Sequence, residues 1–126
     1  MKLHRDNPNA QNRIRGYGSG EIRINEVSYH QSLIVAPQAL ELDGIPSDVA
    51  QLKSRHLERL LAHAPEIILL GTGSRLIFPP RELLFEPQSR GVGIEVMDTG
   101  AACRTFNVLL AEDRVVVALL MLEAGG

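Results

Sequence analysis

The sequence predicts an α/β fold of three layers around a mainly parallel sheet, with a β-hairpin or meander added at its N-terminal side. Three observations carry this. From Ser32 onward, strand-like and helix-like stretches alternate, which is how parallel strands joined by crossover helices read. Ile67-Ile-Leu-Leu70 is uniformly apolar, the pattern of a strand covered on both faces. Two stretches, after Ser54 and after Thr99, place apolar residues at helical spacing on one face.

Taken in order, residues 1 to 13 are polar, carry Asn7-Pro-Asn9, and are expected to form a loose arm before a single domain over 14–126. Glycines at 16, 18 and 20 suit a bent or bulged strand. Glu21-Ile-Arg-Ile24 alternates cleanly, Asn25-Glu26 turns, and Val27-Ser-Tyr29 returns. Ser32 to Ala36 is a buried strand stopped by Pro37, and Leu40 to Ser47 is expected to be irregular, with Asp43-Gly44 as a turn. Ser54 is expected to cap a helix to about His63, with Leu57, Leu60, Leu61 and Ala64 inward, ended by Pro65.

After the strand at 67–70 and the turn at Gly71-Thr-Gly-Ser74, Arg75 to Phe78 is expected as a short strand. Pro79-Pro80 starts a helix that carries Leu83 and Leu84 and breaks or kinks at Pro87. Gly93 to Met97 is a β-branched strand, and Asp98-Thr-Gly100 supplies capping oxygens for the next helix. At about 100° per residue, Ala102, Phe106, Leu109 and Leu110 share one face of that helix. Arg104 and Asn107 lie opposite, and Cys103 sits at the seam between them. Ala111-Glu-Asp113 turns, and Val115 to Leu122 closes the core as the last strand.

At 126 residues the chain is long enough for one core. With only three Phe and no Trp, aliphatic side chains must fill it. A net charge of -2 with scattered arginines lacks the electrostatic footprint of a nucleic-acid binder. No apolar run approaches a membrane span, and the N-terminus lacks the apolar core of a secretory signal. One cysteine fits a reducing compartment, so the cytoplasm is the expected location.

Candidate site residues follow from the rule that ligands of open α/β sheets lie beyond the carboxyl ends of parallel strands. The loops after Leu70 and Met97 then face one crevice, where Gly71, Thr72, Gly73, Arg75, Asp98 and Thr99 could hold a small polar ligand through backbone amides and arginine. Cys103, Arg104 and Asn107 on the following helix complete the set. The bland alternative is two tight turns that glycine makes possible. Gly71-Thr-Gly73 is not a dinucleotide fingerprint, because Leu76 stands where the third glycine belongs, and no phosphate-loop lysine follows.

Cys103 could be a nucleophile acidified by Arg104 and the first helical turn, or a core cysteine. His56 and His63 miss the i, i+4 metal spacing and read as solvated, so no metal and no cofactor are expected.

Glu95-Val-Met-Asp-Thr-Gly-Ala-Ala-Cys-Arg-Thr-Phe-Asn107, with Ile68-Leu-Leu-Gly-Thr-Gly73 upstream, resembles the Mth-type domain family, which includes mitochondrial complex I assembly factor three and adipogenesis-associated Mth-type domain proteins. The resemblance spans residues 14 to 122 and, in the absence of a transit-peptide pattern, points to the bacterial branch. It implies three layers around a mixed sheet, with the last strand antiparallel, and assembly or scaffolding roles among the mitochondrial relatives. The favoured reading is therefore a non-catalytic, assembly-factor-like protein with a small polar crevice for a protein partner or small polar ligand. The alternative is a small-molecule enzyme using Cys103, Asp98 and Arg104. An exposed apolar patch would favour the first, and a deep polar pocket holding the thiol the second.

Overall fold

The computed structural model describes residues 11–123. Strands β4 (Leu33–Ala36), β5 (Ala39–Glu41), β6 (Ile67–Gly71), β7 (Gly93–Met97) and β8 (Val116–Leu120) form a five-stranded sheet in the order β5-β4-β8-β6-β7. β6 lies between β7 and β8 and is parallel to both, with Ile67 opposite Gly93 and Val116. β4 is antiparallel to both β5 and β8. The sheet is thus mixed, and the antiparallel last strand holds on one side only: β8 opposes β4 and runs with β6. The reason is the helix before it, a crossover that carries the chain from β7 past β6, keeps β8 parallel to β6 and inserts it beside β4, which runs the other way.

β8 is the sheet's centre, and none of its five residues is exposed. Alternation then sorts an unbroken apolar run into two cores. Val116, Ala118 and Leu120 join one, Val117, Leu119 and Met121 the other. The first core is closed by Ala102, Cys103, Phe106 and Leu110 of helix α3 (Thr99–Ala111) and by Ile14, Ile22 and Ile24. Those isoleucines come from a second, antiparallel sheet of β1 (Ile14–Gly18), β2 (Glu21–Ile24) and β3 (Val27–Tyr29). The second core is closed by Leu57, Leu60 and Leu61 of helix α1 (Ser54–Leu61), with Val49 and Leu52 before it. These are the three expected layers, and the expected meander lies on the α3 side.

Several local expectations are corrected. The first two residues of the segment expected to be irregular belong to β5, because the chain reverses after Pro37 and pairs Ala36 with Ala39. Ser54 is the first helical residue rather than the cap; Lys53 is the extended residue before the helix, and its backbone N–H donates to His56 Nδ1 at 2.9 Å. His56 is accordingly buried instead of solvated, and burial, followed by Arg55 and Arg59, pushes its pKa below the usual value. His63 is partly buried and meets Glu41. Ala64 lies outside the helix and exposed, at a left-handed φ of 52°.

Arg75 to Phe78 is not a strand: Thr72 Oγ1 donates to the Arg75 carbonyl and accepts from the Ile77 N–H, which folds the segment onto its own loop. The helix after Pro80 begins as a 3-10 turn at Arg81–Leu84 and becomes α-helical as α2 (Phe85–Ser89). Pro87 sits in the first turn of α2, where its missing N–H costs no helical bond. Of the expected arm, residues 1–10 lie outside the described residues. At its end Asn12 is anchored, donating from Nδ2 to the carbonyls of Ala36 (2.9 Å) and Ala39 (3.0 Å).

Candidate functional site

The residues expected at the site separate into two groups, one at the N-terminus of α3 and one along its flank. Asp98 is extended (φ -67°, ψ 162°) and its Oδ1 accepts the Ala101 N–H at 2.8 Å, so it is the cap its position implied. Gly71 passes so close to the helix that a Cβ there would stand 2.9 Å from Thr99 Cα. Gly73, at φ +95°, donates its N–H to Thr99 Oγ1 at 2.8 Å and accepts the Thr99 N–H at 2.9 Å. Thr99 Oγ1 in turn donates to the Met121 carbonyl at 2.8 Å. Thr72 donates its N–H to Met97 O at 2.9 Å. Gly71, Thr72, Gly73 and Thr99 are buried, and the bonds between Gly73 and Thr99, from Thr72 to Met97 and from Met121 to Gly71 join the two loops and the end of the last strand. Arg75 stands exposed outside that joint.

Asp98→Ala is expected to lower stability by about 0.5–2 kcal/mol, the range of a lost helix cap. Urea unfolding measures this, and a loss indistinguishable from zero would show that the cap is dispensable.

The second group lies along the flank of α3 that faces β1. Asn107 receives the Ile14 N–H on Oδ1 at 3.0 Å and donates from Nδ2 to the Ile14 carbonyl at 2.7 Å. A side-chain amide here replaces a neighbouring strand, and both of its ends are engaged. The pairing of β1 with β2 slips between Ile14 and Gly16, the bulge expected from the glycine spacing. Nothing lies within 4 Å of where a Gly16 Cβ would be. The gap that remains between bulged strand and helix is a shallow cavity of about 270 Å³. Arg15, Gly16 and Tyr17 form one wall, and Gly100, Cys103 and Arg104 the other.

The electrostatics of this cavity are set by what is buried and what is not. Cys103 is 4% exposed, and burial pushes its thiol up to about 12, with Arg104 pulling it down and Asp98 pushing it up. The thiol is therefore protonated at neutral pH. Burial also raises the Tyr17 phenol, helped by the negative charges of Cys103 (when ionised), Glu123 and Asp98. Arg15 and Arg104 are exposed and form no ion pair with any described residue. Two arginines without an ion pair among the described residues thus line one concavity together with a protonated cysteine.

Because the thiolate is the reactive form, Cys103 in the folded protein is expected to react with a disulfide reagent at least about tenfold more slowly than a free thiol at neutral pH. A rate above that of the free thiol would reveal an open, activated cysteine.

Arg15 and Tyr17 escaped the sequence reading. The glycines at 16, 18 and 20 marked the bulge, but which helix it would face depends on the tertiary placement of β1, fixed by Asn107 across 93 residues.

Residues 14–121 match the family described as "Protein of unknown function (DUF498/DUF598)". The chain is 33% identical over 122 residues to the "13 kDa major membrane protein" of Francisella tularensis subsp. holarctica, covering 96% of this chain and 99% of that protein. It is 37% identical over 94 residues to "NADH dehydrogenase (ubiquinone) 1 alpha subcomplex assembly factor 3" of Danio rerio, covering 74% of this chain and 53% of that protein. It therefore spans about half the length of that assembly factor. The solution structure of a Mth938-like domain from Bordetella pertussis superposes with a TM-score of 0.79 at 32% identity, covering 98% of this chain and 93% of that one. Among the described residues, no helix is long and apolar enough to cross a membrane.

Proposed function

This chain belongs to the DUF498/DUF598 family, and on that footing we propose that it is a non-catalytic binding protein of the assembly-factor kind. Its contact site is the cavity between β1 and α3, and the group it takes there is a carboxylate or similar anion presented by a protein partner. The observation that carries this reading is the pair of free arginines, Arg15 and Arg104, on opposite walls of one cavity. Guanidinium groups pair carboxylates in a planar, bidentate geometry, which gives orientation as well as attraction. The buried, protonated thiol in the same cavity supports binding over turnover, because a nucleophile would have to ionise against its surroundings. Assembly factors among the similar proteins point to the same class.

The tagged chain captures its partner from the native host under cross-linking, and mass spectrometry identifies it. Arg15→Ala with Arg104→Ala is expected to weaken recovery of that partner at least about tenfold, since each bidentate contact to a carboxylate contributes a charged hydrogen bond. Arg104→Ala alone should leave stability within roughly 0.5 kcal/mol, as surface changes usually do. Undiminished capture by the double variant would overturn the reading. A turnover that disappears with Cys103→Ala would favour the enzyme instead.

A further inference from the structure

Four of the eight exposed large hydrophobic residues among the described ones lie in the connection between β6 and β7. Leu76 is 50% exposed, Ile77 39%, Phe78 70% and Phe85 75%. They do not lie on a mobile tail. Thr72 Oγ1 bonds both the Arg75 carbonyl and the Ile77 N–H, so the base of the loop is closed. Beyond it Pro79 and Pro80 stiffen the chain, and the Arg81–Leu84 turn carries it into α2. The loop therefore presents its apolar side chains outward at small cost in ordering.

The charge around this surface differs from that of the whole chain. Residues 75–90 carry Arg75, Arg81 and Arg90 against Glu82 and Glu86, a cationic excess in a chain of net charge -2. Arg90 pairs with Glu86, whereas Arg75 and Arg81 have no ion pair among the described residues. A cavity of about 580 Å³, lined by Arg81, Glu82, Leu84, Phe85 and Gln88, opens on the same segment.

We propose that this segment docks on an anionic lipid surface, with Leu76, Ile77, Phe78 and Phe85 entering the boundary between headgroups and acyl chains and with Arg75 and Arg81 held at the headgroup anions. Apolar side chains flanked by unpaired arginines have this complementarity: the first part favours the interface and the second the negative surface potential. Two copies of the segment would instead bring like charge together.

The test is flotation of the full chain with vesicles of phosphatidylcholine alone or mixed in equal parts with phosphatidylglycerol. Binding is expected to the mixed vesicles, to weaken with added salt, and to fall to background in Phe78→Ser with Phe85→Ser. Arg75→Gln and Arg81→Gln are each expected to weaken it about fivefold. Because the four side chains are exposed, these variants should keep the native circular dichroism and melting profile, and refolding checks them before flotation. Failure of the native chain to float, or unchanged flotation of the double phenylalanine variant, would overturn the proposal. It would also be overturned if sedimentation without lipid shows a dimer that this variant abolishes, marking a contact between copies. A cross-linked protein lost in this variant, with no lipid binding by the native chain, would do the same and mark a protein interface. The flotation outcomes do not bear on Arg15 and Arg104, whose double variant is read by partner capture, so the two sites stand or fall separately.

Discussion

Phe106→Ala is expected to lower the free energy of unfolding by about 3–5 kcal/mol, the cost of deleting a buried aromatic ring. The ring is fully buried in the middle of α3, in the core that Leu69, Ala118 and Leu120 of the large sheet share with Ile14, Ile22 and Ile24 of the small one. A void there has sheets on two sides. Neither can move inward without breaking its own ladder, so the cavity collapses little and the penalty lies in the upper range. Val108→Ala on the same helix, where the side chain is 55% exposed, is the control and should stay within roughly 0.5 kcal/mol. Chemical denaturation reads both. A loss below roughly 1 kcal/mol for Phe106→Ala would mean that the ring contributes little to the core.

Thr99→Val is expected to cost about 2–4 kcal/mol, although it keeps the shape of the side chain. The hydroxyl accepts from Gly73 and donates to Met121, and Thr99 is 0% exposed. Valine leaves a buried N–H and a buried carbonyl without partners at once, and each such group loses its hydration with nothing in return. Thr99→Ser retains the oxygen and should recover most of the loss. Hydrogen exchange should place the opening of the valine variant at the start of α3 and the end of β8. If serine and valine behave alike, the methyl rather than the hydroxyl carries the stability.

The strands at 33–36, 67–71 and 116–120 were legible because a strand buried on both faces must be continuously apolar, the strand at 93–97 because of its β-branched residues, and the helices at 54–61 and 99–111 because one face must be apolar. The Asp98 cap was legible for the same reason: its hydrogen bond reaches three residues along the chain. The failures have a common origin. Arg75 to Phe78 has a strand's composition, yet a strand needs a neighbour, and Thr72 turns this stretch back on its own loop. β5 has a weak pattern, yet its position beside β4 makes it a strand. His56 accepts the Lys53 N–H three residues away, but that it is buried depends on how α1 packs on the rest of the chain.

The candidate site divides in the same way. The sequence by itself determined that Cys103 lies at a seam, that Arg104 faces away from the core and that a bulged strand begins the domain. Each depends on periodicity or on backbone freedom within a few residues. Only the tertiary structure decided that the seam opens toward β1, that Asn107 bonds that strand at Ile14, and that Arg15 and Arg104 line the same gap. It also decided that Gly73 and Thr99 satisfy each other. A glycine or threonine at a loop advertises hydrogen-bonding groups in any sequence. Which partner takes them depends on the other chain segments that arrive within 3 Å, and no local pattern records that.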